Sequence, residues 1–100
     1  MINHIVMFSL KGTESERKDF ASRFREAVLA LPEKIPGIKR VEVYLNENPC
    51  ESYDLMIHAC FDAHEDLVTY SLHPAHLEAV SIIKNVIASR ACIDYTTDNE

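Results

Sequence analysis

Residues 53–61 alternate between apolar and mixed side chains, which is the period of a half-buried β-strand. The side chains on one face of this predicted strand are almost purely apolar: Leu55, Ile57, Ala59 and Phe61. The other face is mixed, yet it contains Met56 and Cys60. Such a strand suits a sheet that has helices on one side and a second covered surface, such as a subunit interface, on the other.

Three further strands are predicted from β-branched and apolar patterns over Ile2–Leu10, Ile38–Leu45 and Arg90–Thr96. In the first strand His4, Val6 and Phe8 share one face. In the last strand Cys92 and Asp94 share one face, and Ile93 and Tyr95 the other. Strands with this spacing pack one face on a core.

Three helices complete the pattern. Thr13 and Glu16 form a capping box, which begins a helix that we expect to run to about Leu31. Its apolar stripe consists of Phe20, Phe24, Ala27, Val28 and Leu31. Two shorter helices are predicted over residues 63–72 and from Pro74 to about Ile87. The inward positions of the last helix are predicted to be Leu77, Val80, Ile83 and Ile87.

The resulting order is β-α-β-β-α-α-β, which predicts an α+β, ferredoxin-like fold with a four-stranded antiparallel sheet and helices on one face. The 100 residues match the size of a single domain, so we predict one domain over residues 1–100. The opposite sheet face would remain bare. We therefore predict a homodimer that pairs the two open sheet faces.

Composition limits the partners of the chain. The net charge is −6 and no basic cluster is present, which argues against nucleic-acid binding and against a polybasic membrane contact. From the first six residues we expect no secretory signal, and no apolar run reaches the roughly 20 residues that span a bilayer. The three cysteines, Cys50, Cys60 and Cys92, lack a CxxC spacing, so we expect neither disulfides nor a zinc knuckle. We accordingly expect a cytoplasmic location.

The segment from Tyr70 to His76 carries the chemistry. Pro74 disfavours the helical region in the residue before it and is well tolerated at a first helical position. Tyr70 should therefore lie at the end of one helix and His76 in the first turn of the next. A phenol and an imidazole at two adjacent helix ends can converge, and both can exchange protons.

Several pieces of the chain resemble the stress-responsive dimeric α/β-barrel family, called Dabb. They are Ile2-Asn3-His4-Ile5-Val6-Met7-Phe8, Ile35-Pro36-Gly37-Ile38, Tyr53-Asp54-Leu55, Leu67-Val68-Thr69-Tyr70, His73-Pro74-Ala75-His76 and Ile93-Asp94-Tyr95. They extend from the first strand to the last, and the HPAH piece with its preceding tyrosine is the most specific. The resemblance implies a dimer whose two sheets close into a barrel, and most of the family has no assigned chemistry.

The resemblance also implies site residues. A plant member, olivetolic acid cyclase, closes a linear polyketide with a tyrosine and a histidine that match Tyr70 and His76. Its first-strand pocket histidine matches His4, and an aspartate on its last strand matches Asp94. A further pocket histidine of that cyclase is replaced by Leu55 here, which predicts a drier pocket and puts an identical substrate in doubt.

We accordingly predict that His76 is a general base, that Asp94 orients His76, and that Tyr70 donates to an oxygen gaining negative charge. The predicted ligand is a small apolar carbonyl or aromatic compound. The predicted lining residues are His4, Val6, Phe8, Phe24, Leu55, Ile57 and His73. No cofactor and no metal is expected. His73 and His76 have a spacing that suits a metal, but no further ligand is evident near them.

Several functions remain open at this stage. One is a cofactor-independent lyase or cyclase that performs acid–base chemistry of the aldol or isomerase type. A second is a module that binds a small ligand without turnover. A third is a stress-linked structural dimer in which His76 and Asp94 form a buried polar pair. Cofactor-free monooxygenases and haem-degrading proteins share this kind of fold, but fold does not determine chemistry.

Overall fold

The computed structural model describes residues 1–98; the last two residues of the predicted domain lie outside that range. The strands are β1 (Ile2–Leu10), β2 (Ile38–Leu45), β3 (Leu55–Phe61) and β4 (Ile87–Thr96). The α-helices are α1 (Glu14–Leu29), α2 (His64–Leu72) and α3 (Pro74–Ser81), and short 3-10 turns cover Leu31–Glu33 and Lys84–Val86. The predicted order of four strands and three helices is therefore confirmed. Within the described residues, no helix is both long and apolar enough to cross a membrane.

The four strands form one antiparallel sheet in the order β2-β3-β1-β4. The predicted ferredoxin-like α+β fold is thereby confirmed. The two central strands are β3 and β1, and β4 is an edge strand that pairs with β1 alone. The β1–β4 register places His4 opposite Asp94, and Val6 opposite Cys92. This register determines which polar groups of the two strands meet.

One face of the sheet packs against the helices and forms the core. As the alternation predicts, Leu55, Ile57, Ala59 and Phe61 of β3 are all buried. Buried core positions from the other elements are Val6, Phe8, Leu10, Ala21, Phe24, Val28, Leu31, Ile35, Val43, Leu67, Tyr70, Ala79 and Ile83. The Phe8 and Phe24 rings meet edge to face, with centroids 5.8 Å apart. Burial of these side chains is the main stabilising contribution to the fold.

The opposite face of the sheet, which we call the open face, remains uncovered within one chain. It combines apolar side chains with a small polar network. Its exposed large apolar side chains are Tyr44, Ile93 and Tyr95. The Asn3 Oδ1 atom lies 2.9 Å from His58 Nε2 and accepts a 3.3 Å hydrogen bond from Cys60 Sγ. An apolar face of this kind on a sheet is typical of an association surface.

The capping signals act as the sequence predicts. The Thr13 hydroxyl accepts a 3.1 Å hydrogen bond from the Glu16 amide, and the Glu16 carboxylate accepts one of 2.8 Å from the Thr13 amide. Pro74 is the first residue of α3, and His73 is its N-cap, with Nδ1 accepting from the Ala75 amide at 3.0 Å. These caps satisfy amides that have no partner inside a helix.

Several predicted boundaries differ from the structure. The last helix ends at Ser81 rather than near Ile87, because a 3-10 turn closes there and the Val86 carbonyl accepts from the Lys11 amide at 2.7 Å. Residues 87–89 consequently belong to β4. Leu77 was predicted to point inward, yet it is 56% exposed. The first helix ends at Leu29, and β3 begins at Leu55 rather than at position 53.

Asp54, just before β3, ties the loop to β1 and α1. Its carboxylate accepts a 2.7 Å hydrogen bond from the Leu10 amide and a 3.2 Å bond from Arg17 Nε. The Asp54 amide donates to the Phe8 carbonyl at 2.8 Å. These three bonds hold Asp54 against the end of β1 and the start of α1.

Candidate functional site

The α2–α3 corner brings two of the predicted site residues together. Because His73 has extended backbone angles and Pro74 begins α3, the chain turns sharply between the two helices. Tyr70 in the last turn of α2 and His76 in the first turn of α3 therefore face each other. Their ring centroids are 4.5 Å apart, at an interplanar angle of 51°. The predicted convergence of a phenol and an imidazole is confirmed.

Tyr70 is almost completely buried, with 2% of its surface exposed. Its ring contacts Phe61 at 5.2 Å and stands nearly perpendicular to the His4 ring at 6.2 Å, measured between centroids. Burial raises the pKa of Tyr70 to about 12. At neutral pH the group is therefore a neutral phenol that can donate a hydrogen bond.

His76 is the one described residue with a buried side-chain nitrogen or oxygen atom that lacks a hydrogen-bond partner; the atom is Nδ1. Burial lowers the pKa of His76, and the positive charges of His4 and Arg90 lower it further, while the Ser71 backbone partly offsets these effects. The imidazole is therefore neutral near pH 7. The Nδ1 atom of a neutral imidazole with no hydrogen-bond partner has the chemistry to accept a proton.

Asp94 does not orient His76. It pairs instead with His4, whose Nδ1 lies 2.5 Å from Asp94 Oδ1. The reason is the sheet register, since His4 and Asp94 are directly opposed on β1 and β4 and share the helix-facing side. The His4 side chain is 10% exposed and that of Asp94 45%, so the pair extends from the buried surroundings of Tyr70 to solvent.

Cys92 and Arg90 continue this side of β4. The Cys92 Sγ atom lies 3.7 Å from His4 Nδ1 and 3.7 Å from Asp94 Oδ1. Partial burial and the adjacent Asp94 carboxylate raise the pKa of the Cys92 thiol, against an opposing effect of Arg90. The site thus consists of two layers: Tyr70 and His76 on the helices, and the strand group His4, Cys92 and Asp94.

The other residues predicted to line a ligand pocket lie beneath this site. Five of them are packed into the core and are at most 5% exposed: Val6, Phe8, Phe24, Leu55 and Ile57. His73 uses its Nδ1 to cap α3. Two clefts of about 210 and 240 Å³ lie elsewhere, one between α1 and α3, and one beside Tyr44 and Tyr53 that reaches Leu55. The ligand-lining role of these residues stays a prediction.

The family model that matches this chain is that of the stress-responsive A/B barrel domain, over residues 2–97. The chain belongs to the Dabb family. A search of curated proteins finds no match. Among solved structures, a dimeric protein of unknown function from Bacteroides fragilis with a ferredoxin-like fold is 38% identical to this Dabb chain. The alignment covers 96% of this chain and 95% of that one, with a TM-score of 0.92.

More distant structures share the fold of this Dabb domain. An Arabidopsis thaliana protein is 20% identical over 100% of this chain and 98% of its own, with a TM-score of 0.76. SnoaB, a cofactor-independent oxygenase from Streptomyces nogalater, is 14% identical over 99% and 94%, with a TM-score of 0.68. At these identities the likeness shows a common fold and leaves the chemistry of this Dabb domain to its own residues.

Reasoning from the sequence missed the position of Cys92 in this Dabb domain. Cys92 is not among the predicted site residues, yet its thiol is exposed and lies beside His4 and Asp94. Two signals were present: Cys92 and Asp94 are two residues apart on one strand face, and β4 is the last strand, which occupies a sheet edge.

Proposed function

We propose that this Dabb chain is a homodimer that performs cofactor-independent acid–base chemistry on a small carbonyl compound, with His76 as base and Tyr70 as hydrogen-bond donor. The observation that supports this most directly is the buried, unpartnered Nδ1 of His76 beside the Tyr70 ring. A buried polar atom without a partner costs stability, so a structural role does not explain it. A substrate C–H proton would supply the missing partner.

The reaction follows from the two groups. His76 Nδ1 takes a proton from a carbon next to a carbonyl, and the electron pair of the broken C–H bond forms an enolate. The Tyr70 hydroxyl, still protonated at neutral pH, donates a hydrogen bond to the enolate oxygen. In an aldol-type cyclisation, the enolate carbon then attacks a second carbonyl of the same substrate molecule, and the alkoxide that forms takes the proton back from His76. In an isomerisation, His76 instead returns the proton to a different carbon of the substrate.

Access to the base requires a local opening, because His76 Nδ1 is buried and the core beneath it is filled. The α2–α3 corner is suited to such an opening. Its outer side chains Leu72 and Leu77 are 71% and 56% exposed, so their burial contributes little to holding it closed. Opening there would admit an apolar ligand between Tyr70 and the strand group.

The test uses β-diketones and linear β-polyketones as candidate substrates. The exchange of their carbon-bound protons for deuterium in D₂O is measured by NMR. We expect His76→Leu to slow exchange about 10²–10⁴-fold. Tyr70→Phe should slow it about 10²–10³-fold. His64→Gln, at an exposed histidine of α2, is the matched control and should exchange like wild type. Equal exchange by wild type and His76→Leu would contradict the proposal.

A non-catalytic ligand-binding role is the second candidate, favoured by the largely apolar surroundings of Tyr70. The two functions separate in the same experiment. A binding module would show a ligand-dependent rise in melting temperature that requires Tyr70, without any exchange of deuterium into the ligand.

The dimer part of the proposal rests on the open face. Three solved relatives are described as dimeric, including the 38% identical Bacteroides protein. Ile93, 61% exposed, lies on the open face opposite Ile5, so Ile93→Asp should convert a dimer to a monomer in sedimentation velocity. Leu72→Asp, at a side chain 71% exposed on the helix layer, should leave the dimer intact. A wild-type monomer at micromolar concentration would refute the dimer.

A further inference from the structure

Three different metal-ligating side chains converge on the helix-facing side of the β1–β4 pair. The donor atoms His4 Nδ1, Cys92 Sγ and Asp94 Oδ1 all lie within 4.8 Å of one another. Their convergence is produced by the sheet: Cys92 and Asp94 are two residues apart on one strand, and His4 stands directly opposite Asp94. Two of the three ligands are exposed, so an ion can reach them from solvent.

Two of the three distances between the donor atoms match those expected for a tetrahedral metal ion. With zinc bond lengths of about 2.3 Å to sulfur and about 2.0–2.2 Å to nitrogen and oxygen, a tetrahedral site needs about 3.6 Å from the sulfur to each other donor. The corresponding distances from Cys92 Sγ are both 3.7 Å.

The third pair of donor atoms, His4 Nδ1 and Asp94 Oδ1, is at hydrogen-bonding distance, which is shorter than the distance between two ligands of one metal ion. His4 Nδ1 and Asp94 Oδ1 are 2.5 Å apart, whereas two ligands of one tetrahedral zinc ion lie about 3.4 Å apart. An ion would replace the shared proton, and the carboxylate would retreat by about 1 Å or present its other oxygen. The 45% exposure of the Asp94 side chain leaves room for that movement.

We propose that His4, Cys92 and Asp94 bind a zinc-like divalent ion, with the fourth coordination position open to water or to a substrate oxygen. One imidazole, one thiolate and one carboxylate form a borderline-soft donor set that suits Zn²⁺ or Co²⁺ and does not suit Mg²⁺ or Ca²⁺, which take oxygen ligands. Three protein ligands and one open position are typical of zinc sites that act on a bound molecule.

The proposed metal site is separate from the acid–base pair of Tyr70 and His76. The proposal of a metal site does not depend on the proposed acid–base function. The centroids of the His4 and Tyr70 rings are 6.2 Å apart, so an ion bound to His4 would lie close to Tyr70. There it would replace the His4–Asp94 hydrogen bond and would leave His76 unligated. Metal binding and proton exchange can therefore be measured independently on one protein.

The test is a Co²⁺ titration of metal-free, reduced protein, read by its thiolate-to-cobalt charge-transfer absorbance, followed by displacement with Zn²⁺. We expect one ion per chain. Cys92→Ser should abolish the charge-transfer band. Asp94→Asn should keep the band, but its affinity for Co²⁺ should fall by at least about tenfold. Cys50→Ser, at an exposed loop thiol, is the matched control and should titrate like wild type.

Three results would overturn the site: no charge-transfer band in the wild type, an unchanged band in Cys92→Ser, or unchanged affinity in Asp94→Asn. Both altered side chains are exposed, and the melting temperature of each variant verifies that it is folded. Because the absorbance is read without substrate, a negative result would leave the roles of His76 and Tyr70 untouched.

Discussion

Replacing His76 by leucine tests whether this residue stabilises the fold. The substitution removes the buried, unpartnered Nδ1 and puts an apolar side chain of similar size against Tyr70. The alternative role, a buried polar pair with Asp94, would make the same substitution strongly destabilising. The two roles therefore predict different free energies of unfolding.

The magnitude follows from three contributions. Removing an unsatisfied buried polar atom relieves about 1–3 kcal/mol. Loss of the ring contact with Tyr70 costs about 0.5–1.5 kcal/mol, and loss of the interaction with the Ser71 backbone about 0.5–1.5 kcal/mol. These effects nearly cancel, so we expect a net change within about 1 kcal/mol of zero, which is about 4–8 °C in melting temperature. Breaking a buried polar pair would instead cost about 3–5 kcal/mol.

Thermal unfolding of wild type and variant at one fixed protomer concentration measures this difference, since association itself raises apparent stability. His4→Leu is the comparison variant, because it breaks a hydrogen bond that the structure contains. We expect it to cost about 1–2 kcal/mol, since Asp94 is half-exposed and its interaction is screened. A melting temperature for His76→Leu that falls by about 12 °C or more, below that of His4→Leu, would refute the reasoning.

Three further predictions concern pH and the loop before β3. Burial lowers the pKa of His76, so between the ordinary value of 6.5 and its lower folded value the unfolded chain binds more protons than the native one. The wild type should therefore lose stability relative to His76→Leu as the pH falls through and below about 6.5. Urea unfolding at each pH measures this difference, and identical pH profiles of the two proteins would contradict the prediction. For Tyr70, with a pKa of about 12, tyrosinate absorbance should show a late-ionising phase that is missing in Tyr70→Phe. Because the unfolded phenol ionises near pH 10, the wild type should lose stability relative to Tyr70→Phe above that pH, and a normal titration of Tyr70 would refute its burial. Asp54→Ala leaves the Leu10 amide unpaired and should cost about 1–3 kcal/mol in urea unfolding, whereas Asp62→Ala, at a side chain 69% exposed, should cost little.

Local signals predicted most of the fold. The capping box at Thr13 begins α1, and Pro74 begins α3, because both act through atoms within four residues. The alternation over β3 identified the buried face for the same reason. The end of α3 was not predictable in this way. Its apolar spacing continues past Ser81, and the helix ends where the Val86 carbonyl meets the Lys11 amide of a segment far away in the sequence.

In the candidate site, too, the contacts between residues close in sequence were predictable, and those between distant residues were not. Tyr70 and His76 are six residues apart around a proline, so their convergence followed from the sequence. The partner of Asp94 depends on the pairing of the first strand with the last, which no local pattern specifies. The prediction from the sequence paired Asp94 with His76 by analogy with other pairs of a base and its orienting group, whereas the register of this sheet pairs it with His4.

The partner of Asp94 also determines what His76 can do. If Asp94 accepted a hydrogen bond from His76, the imidazole would be anchored, and a purely structural role would account for it. Because His4 stands opposite Asp94 on the sheet and takes that carboxylate, His76 has no anionic partner, and its Nδ1 is buried without a hydrogen bond. Leucine at position 76 would fill the same space without that unsatisfied atom. An unpaired buried polar atom that is kept where an apolar side chain would serve about as well is typical of a functional position, and this is the physical reason to propose the proton-exchanging role for this corner.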